Sequence, residues 1–175
     1  MITAARSAAQ NNCDNITWSA SNKLIPADFK DAADTGKTMI AFTLTKFSYK
    51  VIPQEGAAII HTSTLFYPCG SWLNRANTKN SISHEQLHFD IAEYHKRLFL
   101  KRVSETRSTE DMFAITTKAI FRDIADQKRM MNAEYDRQSN FGLNAQEQNK
   151  WNSKIEALLT SLQSYAGTTT TINLK

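Results

Sequence analysis

The sequence predicts an α+β fold, in which a β-hairpin or small antiparallel sheet is followed by three α-helices. The first half of the chain is rich in β-branched and aromatic residues, whereas apolar residues recur every three or four positions from about residue 81 onwards. With 175 residues, 41% of them hydrophobic, the chain fits one domain with a single core. Within this domain, residues 1–175, we expect residues 1–15 and 166–175 to be loosely ordered.

Two long strands account for the predicted hairpin. Residues 37–52 form the first strand, and their apolar side changes face midway, which predicts a bulge or a strand covered on both sides. Residues 57–67 form the second strand, and the turn at residues 54–56 is so short that the two strands should pair. A short helix is expected to start near Pro26, because proline is favoured at the first helical position.

Three amphipathic helices are predicted after the hairpin, at residues 81–102, 109–139 and 145–165. Ser108 is placed to cap the second of these helices, and Asp111 follows it at the spacing of a partial capping box. The predicted buried stripe of the second helix consists of Met112, Thr116, Ala119, Ile120, Ile124, Met131 and Tyr135.

Charge and hydropathy argue against two classes of partner. The net charge is only +4, and the basic residues are spread among acidic ones, which does not favour a nucleic-acid-binding surface. No apolar run approaches the roughly 20 residues that cross a bilayer, so no stable membrane insertion is expected. Residues 1–15 lack the apolar core of a signal peptide, so we expect a cytoplasmic protein or one whose export segment lies outside this sequence. An exported protein could join Cys13 to Cys69 in a disulfide.

The HEQLH segment is the most specific chemical feature of the sequence. His84 and His88 are four residues apart on the first predicted helix, so both imidazoles leave the same face and can reach one zinc ion at roughly 2.0–2.1 Å. Glu85 is rotated by about 100° from His84, which places it beside the metal. Its carboxylate could take a proton from zinc-bound water and return it to the leaving amine of a peptide. The alternative is two half-buried histidines and a surface glutamate without a metal.

The remaining histidines are weaker candidates for a metal ligand. His95 lies on nearly the same helical face but about 10 Å beyond His88, and no glycine or proline breaks the helix between them. We therefore exclude His95 as a ligand and expect a surface or packing histidine. His61, on the second strand, fits a strand-edge histidine better than a ligand. Glu93 is well placed to pair with Arg97 one helical turn later.

A third protein ligand for Zn²⁺ should come from another part of the chain. Glu134 and Asp136, near the end of the second helix, are the best remaining acids, because a long helix returning past the first could bring this end to the metal. Many zinc peptidases take a carboxylate ligand from a later helix or turn. Both residues stay open as candidates, and each also fits a solvated surface acid.

These segments resemble, in order, those of a bacterial family described as predicted secreted zinc-dependent peptidases. The stretch SHEQLHFDIAEYHKR resembles the motif helix of that family, with its HEQxHFDxxE pattern. ITW followed by LIPADFK resembles the family's N-terminal segments, and FYPCGSW resembles the strand end before its motif helix. AEYDRQSNFG with Gln148 and Trp151 resembles its YDxxTxHG…Q..W stretch, so the resemblance spans roughly residues 16–160.

The resemblance implies a zincin-like metallopeptidase that cleaves peptide or protein substrates with zinc-activated water. It also implies export to the periplasm, the cell surface or the medium. Phe141 stands where the family pattern has a histidine before the glycine, and Pro26 stands where it more often has tryptophan. If that histidine held the metal or stabilised the transition state, Phe141 could do neither. Two alternatives therefore stay open: a zincin-like metal-binding or structural protein without catalytic activity, and a zinc hydrolase acting on a cell-wall or other amide.

Overall fold

The fold is α+β, as the sequence predicts, with a small antiparallel sheet and three α-helices. A computed structural model describes residues 13–33, 41–74 and 78–175 of the chain. The main sheet comes from the first half of the chain and from one strand at its C-terminal end, and the helices lie between them in sequence.

The predicted hairpin is present and forms the centre of the main sheet. Strands β3 (Thr45–Gln54) and β4 (Ala57–Phe66) are paired along their whole length. The two-residue turn between them contains Gly56 at φ 66°, a left-handed conformation that glycine adopts without steric cost. Side chains alternate between the two faces of the hairpin, and the inner face, which includes Phe47 and Ile60, is buried in the core.

Two further strands cover the second edge of β4. β1 (Ile16–Thr17) pairs with the C-terminal end of β4, and β6 (Thr169–Asn173) pairs with its first half. We expected residues 166–175 to be loosely ordered, but β6 is hydrogen-bonded to the sheet and Ile172 is only 6% exposed. The run of threonines suits this strand because threonine is β-branched. Residues 1–12 of the other segment expected to be loosely ordered lie outside the described residues.

The run predicted as one strand at residues 37–52 forms two strands in different sheets. β2 (Ala41–Phe42) pairs with β5 (Trp72–Leu73) in a separate two-stranded sheet, and β3 begins only at Thr45. The change of apolar face midway along this run therefore marks the passage from one sheet to the other. Residues 37–40 of the predicted strand lie outside the described residues.

The three helices lie close to their predicted positions, and their bounds are α1 Thr78–Glu105, α2 Glu110–Ser139 and α3 Ala145–Ser161. The N-cap residue of α2 is Thr109 and not Ser108, and its side chain makes no capping hydrogen bond. The buried stripe of α2 begins at Phe113 and Thr117, one residue later than predicted, so that Met112 is 50% exposed.

α1 is the central helix of the described chain and contacts the other two helices as well as the sheet. Its C-terminal half packs Phe99 against Phe47 of the sheet. Its N-terminal half packs Ile91 in a cluster with Tyr135 of α2 and Trp151 of α3. The HEQLH segment therefore belongs to a helix that packs against α2, α3 and the main sheet. None of the helices that the structure describes combines the length and hydropathy of a membrane span.

A disulfide joins Cys13 to Cys69, whose Cα atoms are 5.4 Å apart. It links the segment ahead of β1 to a 3₁₀ turn at Pro68–Gly70, across 56 positions of sequence. Disulfides persist mainly in oxidising compartments, so this bond is compatible with an extracellular location.

Candidate metal centre

Three side chains from two helices bring potential ligand atoms together. His84 and His88 lie one turn apart on α1, and their Nε2 atoms are 3.2 Å apart. Asp136, in the last turn of α2, places Oδ1 3.0 Å from each of these nitrogens. The side chain of His84 is 3% exposed and that of Asp136 is 29% exposed, so the group opens to solvent beside the carboxylate. Within the described ranges, no other cluster of three histidine, cysteine or acidic side chains could share an ion.

The distances within this group suit a tetrahedral ion. Ligand atoms that surround zinc tetrahedrally at about 2.0–2.1 Å lie about 3.3 Å from one another. The three atoms here are separated by 3.0, 3.0 and 3.2 Å, so only small movements would be needed to bind the ion. Two imidazole nitrogens and one carboxylate oxygen are also typical ligands of catalytic zinc.

Hydrogen bonds on the far side of both histidine rings leave the Nε2 atoms ready to bind a metal. Nδ1 of His88 is 3.0 Å from Oδ1 of Asn132, and Nδ1 of His84 is 3.3 Å from Oε1 of Gln148. Because an amide oxygen can only accept, each Nδ1 carries the proton and donates it. Each neutral ring then has its lone pair on Nε2, the atom that faces Asp136.

Gln148 and Tyr135 hold the ring of His84 in place. The amide of Gln148 is fixed in orientation, because its Nε2 donates to Oδ1 of Asn152 at 2.9 Å and its Oε1 accepts from the Tyr135 hydroxyl at 2.7 Å. The Tyr135 ring stacks on the His84 ring with centroids 4.5 Å apart. Tyr135 is completely buried, so the face of α1 that carries both histidines rests on a well-packed side chain.

The charges of the group favour a cation between the three ligand atoms. Burial raises the pKa of Asp136, but the hydrogen bonds that His84 and His88 donate to it from Nε2 when their rings are protonated outweigh this effect and hold the pKa at about 2. Burial lowers the pKa of His88, whereas the hydrogen bond with Asp136 and the charges of Glu85 and Asp136 raise it above the ordinary value. Asp136 is therefore anionic at neutral pH, and a proton or a metal ion would compete for the same nitrogen atoms.

Glu85 follows His84 directly on α1 and is close enough to His88 for its charge to act on that ring. It is 4% exposed, and its charge acts on both His88 and Tyr135. No donor within the described ranges forms a hydrogen bond with its carboxylate. The two oxygen atoms are therefore available to a water molecule or a substrate at this site.

The loop after α2 approaches His84 more closely than a side chain would allow. Asn140, Phe141 and Gly142 follow one another in left-handed conformations, with φ angles of 48°, 52° and 82°. A Cβ atom at position 142 would lie 2.9 Å from Cβ of His84, so only glycine fits there. Phe141 is 46% exposed, and its backbone N–H donates to the carbonyl oxygen of Asp136 at 3.0 Å.

Of the two acids considered as the third ligand, the structure brings Asp136 to the histidines. Glu134 lies outside the group formed by His84, His88 and Asp136, called the metal group below, and its carboxylate forms an ion pair with Arg137 at 2.6 Å. Its side chain is 42% exposed, as expected of a solvated surface acid.

The other two histidines lie outside the metal group, as the sequence indicates. His95 is a packing histidine, 1% exposed, whose Nδ1–H donates to the carbonyl oxygen of Ile91 at 2.7 Å. Burial lowers the pKa of His95 to about 4. His61 is exposed on β4, with Nδ1 3.0 Å from the Thr169 hydroxyl.

Sequence reasoning missed part of the site. The sequence analysis assigns no role to Asn132, although it precedes Asp136 by four residues and must therefore share its helical face. The sequence analysis places Tyr135 only in the buried stripe of the second helix and assigns no contact to Gly142. The contacts of both with His84 depend on how α2 packs against α1, which no local pattern reveals.

No family model, no curated protein and no solved structure matches this chain. Any assignment of function therefore depends on the chemistry and geometry of the residues themselves.

Proposed function

We propose that this protein is a zinc-dependent metallopeptidase with a zincin-like site on α1. In this proposal His84, His88 and Asp136 hold the zinc ion, and Glu85 transfers protons. The observation that carries it is the triangle of two Nε2 atoms and one Oδ1 atom, with edges of 3.0–3.2 Å. Structural zinc sites use four protein ligands, whereas three ligands leave a position for water, which favours a catalytic site.

The residues around the triangle can perform the proton transfers of peptide hydrolysis. A bound zinc ion would lower the pKa of its water ligand to about 7 and polarise the substrate carbonyl group. Glu85 can accept the proton released beside His88, because its carboxylate is near enough to act on that ring. The same carboxyl group can then donate the proton to the leaving amine. Tyr135 does not take part in these transfers, because burial keeps its pKa far above the ordinary value.

The main sheet supports an extended peptide as the substrate. β4 is paired on both sides, whereas no described strand pairs with the outer edge of β3. A peptide can add to such an edge, since its N–H and C=O groups then bind those of the strand.

The disulfide supports export of the protein, and with it a substrate outside the cytoplasm. The bond between Cys13 and Cys69 would be stable in the periplasm, on the cell surface or in the medium. Peptides and unfolded proteins in those compartments are the proposed substrates.

A Glu85→Gln variant tests the peptidase proposal. We expect it to keep one zinc ion per chain and to cleave an unstructured peptide mixture about 10²–10⁴-fold more slowly than the wild type. Glu134→Gln is the matched control, because Glu134 is a partly exposed acid outside the metal group. The control should leave both zinc content and cleavage unchanged. Cleavage that is equally fast in Glu85→Gln would rule out the role of Glu85.

Phe141 favours a second candidate function, a metal-binding protein without catalytic activity. Its side chain has no atom that could bind zinc or donate to an oxyanion, and it is exposed next to the site. Stoichiometric zinc in the wild type, with no cleavage of any peptide in a broad mixture, would support this candidate. Cleavage of cell-wall amides without cleavage of peptides would instead support a zinc amide hydrolase.

A further inference from the structure

A cavity of about 700 Å³ lies on the side of α1 that faces away from the metal group. Gln86, Asp90 and Arg97 of α1 line it, and they leave the helix roughly opposite to His84 and His88. The other walls come from the segment around residues 18–24 and from α3. A molecule in this cavity would therefore be separated from the metal-binding atoms by the helix itself.

A buried cluster with an excess of positive charge adjoins this cavity. Oε1 of Glu93 lies 3.0 Å from Nζ of Lys96 and 2.9 Å from Nε of Arg97, and all three side chains are 3–4% exposed. Asp90 also faces the cavity, but its Oδ2 atom is paired with the ammonium group of Lys23 at 3.4 Å. Two buried cations thus share one buried carboxylate. Burial of an uncompensated charge is unfavourable, and an anion would relieve it.

Arg97, which lines the cavity, has an unused donor group. Its Nε donates to Glu93, and its Nη1 donates to the carbonyl oxygen of Leu159 at 2.7 Å and to Oε1 of Gln163 at 3.1 Å. Nη2 has no acceptor among the residues that the structure describes. The guanidinium group is also held over the Trp18 ring, 5.3 Å from its centroid. Two N–H groups of a fixed, buried guanidinium therefore remain available to a ligand.

We propose that this cavity binds a small amphipathic carboxylate. The carboxylate would accept hydrogen bonds from Nη2 of Arg97, and the apolar body would lie against Leu24, Ile155 and Leu159, which line the cavity. Lys23 also lines the cavity, but its ammonium group is paired with Asp90, so the uncompensated charge is that of the buried cluster. Glu156 also lies on the wall but is exposed, so it can turn towards solvent. A neutral ligand could offer the Nη2 hydrogens of Arg97 only an uncharged acceptor, which forms a weaker hydrogen bond than a carboxylate and leaves the positive charge uncompensated.

Calorimetric titration of the full, zinc-loaded chain tests this proposal with two pairs of probes. Decanoate is compared with decanol, and N-acetyl-leucine with N-acetyl-leucinamide. At least one carboxylate should bind with one-to-one stoichiometry and at least tenfold more tightly than its neutral counterpart. The pair that does so identifies the ligand as an aliphatic acid or as a C-terminal amino acid.

Two variants and a matched control place the binding in this cavity. Arg97→Gln removes the donor, and Ala20→Phe fills the space from an exposed position on the wall without changing any charge. Each should weaken binding of the carboxylate at least tenfold. Ala157→Phe, at an exposed position of α3 outside the cavity, should leave it unchanged.

The proposal is overturned if neither carboxylate shows saturable binding, or if the neutral probes bind equally well. Undiminished binding in Ala20→Phe would also overturn it, and this variant decides the question if Arg97→Gln does not fold. Binding that survives in Ala20→Phe and disappears in His88→Asn would assign the carboxylate to the metal group and would equally contradict the proposal.

Discussion

Gly142 and Gly56 are both in left-handed conformations, yet they differ in what surrounds them. A Cβ atom at Gly56 would meet nothing within 4 Å, whereas one at Gly142 would lie 2.9 Å from Cβ of His84. Gly56→Ala should therefore lower the free energy of unfolding by about 1–2 kcal/mol through backbone strain alone. Gly142→Ala should cause the same backbone strain and should also displace His84.

We predict that Gly142→Ala lowers the free energy of unfolding more than Gly56→Ala and weakens zinc binding about tenfold or more. Gly56→Ala should not change zinc binding. Urea unfolding and zinc titration of both variants measure these effects. Equal behaviour of the two variants in both experiments would show that the loop does not support His84 in solution.

Gln148 acts on the metal group through His84, and its own side chain is not one of the three potential ligands. Its loss leaves Nδ1 of His84 with only the Ser139 hydroxyl, 3.5 Å away, as an acceptor, so the ring can turn and the proton can move to Nε2. Gln148→Leu should therefore weaken zinc binding about 10–100-fold. Gln146→Leu makes the same substitution at an exposed position of α3 and serves as the control. Similar zinc affinities for the two variants would contradict this role.

At the scale of secondary-structure elements, the packing of α1 against α2 buries His95. Burial, reinforced by the charge of Lys128, lowers its pKa from 6.5 to about 4, although its hydrogen bond to Ile91 opposes the shift. As the pH falls below about 6.5, the imidazole of His95 binds a proton in the unfolded chain, whereas in the folded chain it binds one only near pH 4. The free energy of unfolding therefore decreases between about pH 6.5 and pH 4. Below pH 4 this residue causes no further decrease.

We predict that His95→Leu removes this loss. Between pH 7 and pH 4 the wild type should lose about 3 kcal/mol more unfolding free energy than the variant, an order-of-magnitude value from the shift in pKa. Urea unfolding of both proteins at the two pH values measures the difference, in which the contributions of all other groups cancel. Parallel pH dependence would mean that His95 is protonated equally easily in both states.

The elements that the sequence predicts correctly are those with strong local signals. The β3–β4 hairpin follows from two β-branched runs and one short turn, and α1 follows from its apolar period. β6 is different, because Thr169–Asn173 becomes a strand only by pairing with β4. The break between β2 and β3 likewise depends on pairing of β2 with the distant β5. Such long-range pairing leaves little trace in a local pattern.

In the metal group, too, some residues are predictable from a local pattern and others depend on long-range packing. His84, Glu85 and His88 are recognisable from spacing alone, since one helix positions all three. Glu134 and Asp136 are two residues apart and so about 200° apart around α2, on opposite sides of Tyr135. Which of them faces the histidines depends on how α2 lies against α1, and helical periodicity cannot decide it.

At the scale of the whole molecule, the disulfide restrains a large part of the chain. In the chain-entropy relation, a loop closed across 56 positions stabilises the fold by about 4 kcal/mol. A double variant, Cys13→Ser with Cys69→Ser, should lose about this much unfolding free energy and keep its zinc affinity, because neither cysteine belongs to the metal group. Urea unfolding under non-reducing conditions measures the loss. Unchanged stability in the double variant would contradict a structural role for this bond.

The zinc content of the chain tests the central claim most directly. Native mass spectrometry after zinc addition and removal of unbound ions should show one zinc ion per wild-type chain. His88→Ala and Asp136→Ala should each lose the ion at the same free zinc concentration, because each removes one of the three ligand atoms. A wild-type chain that carries no zinc, or variants that carry as much as the wild type, would contradict the claim that His84, His88 and Asp136 form a zinc site.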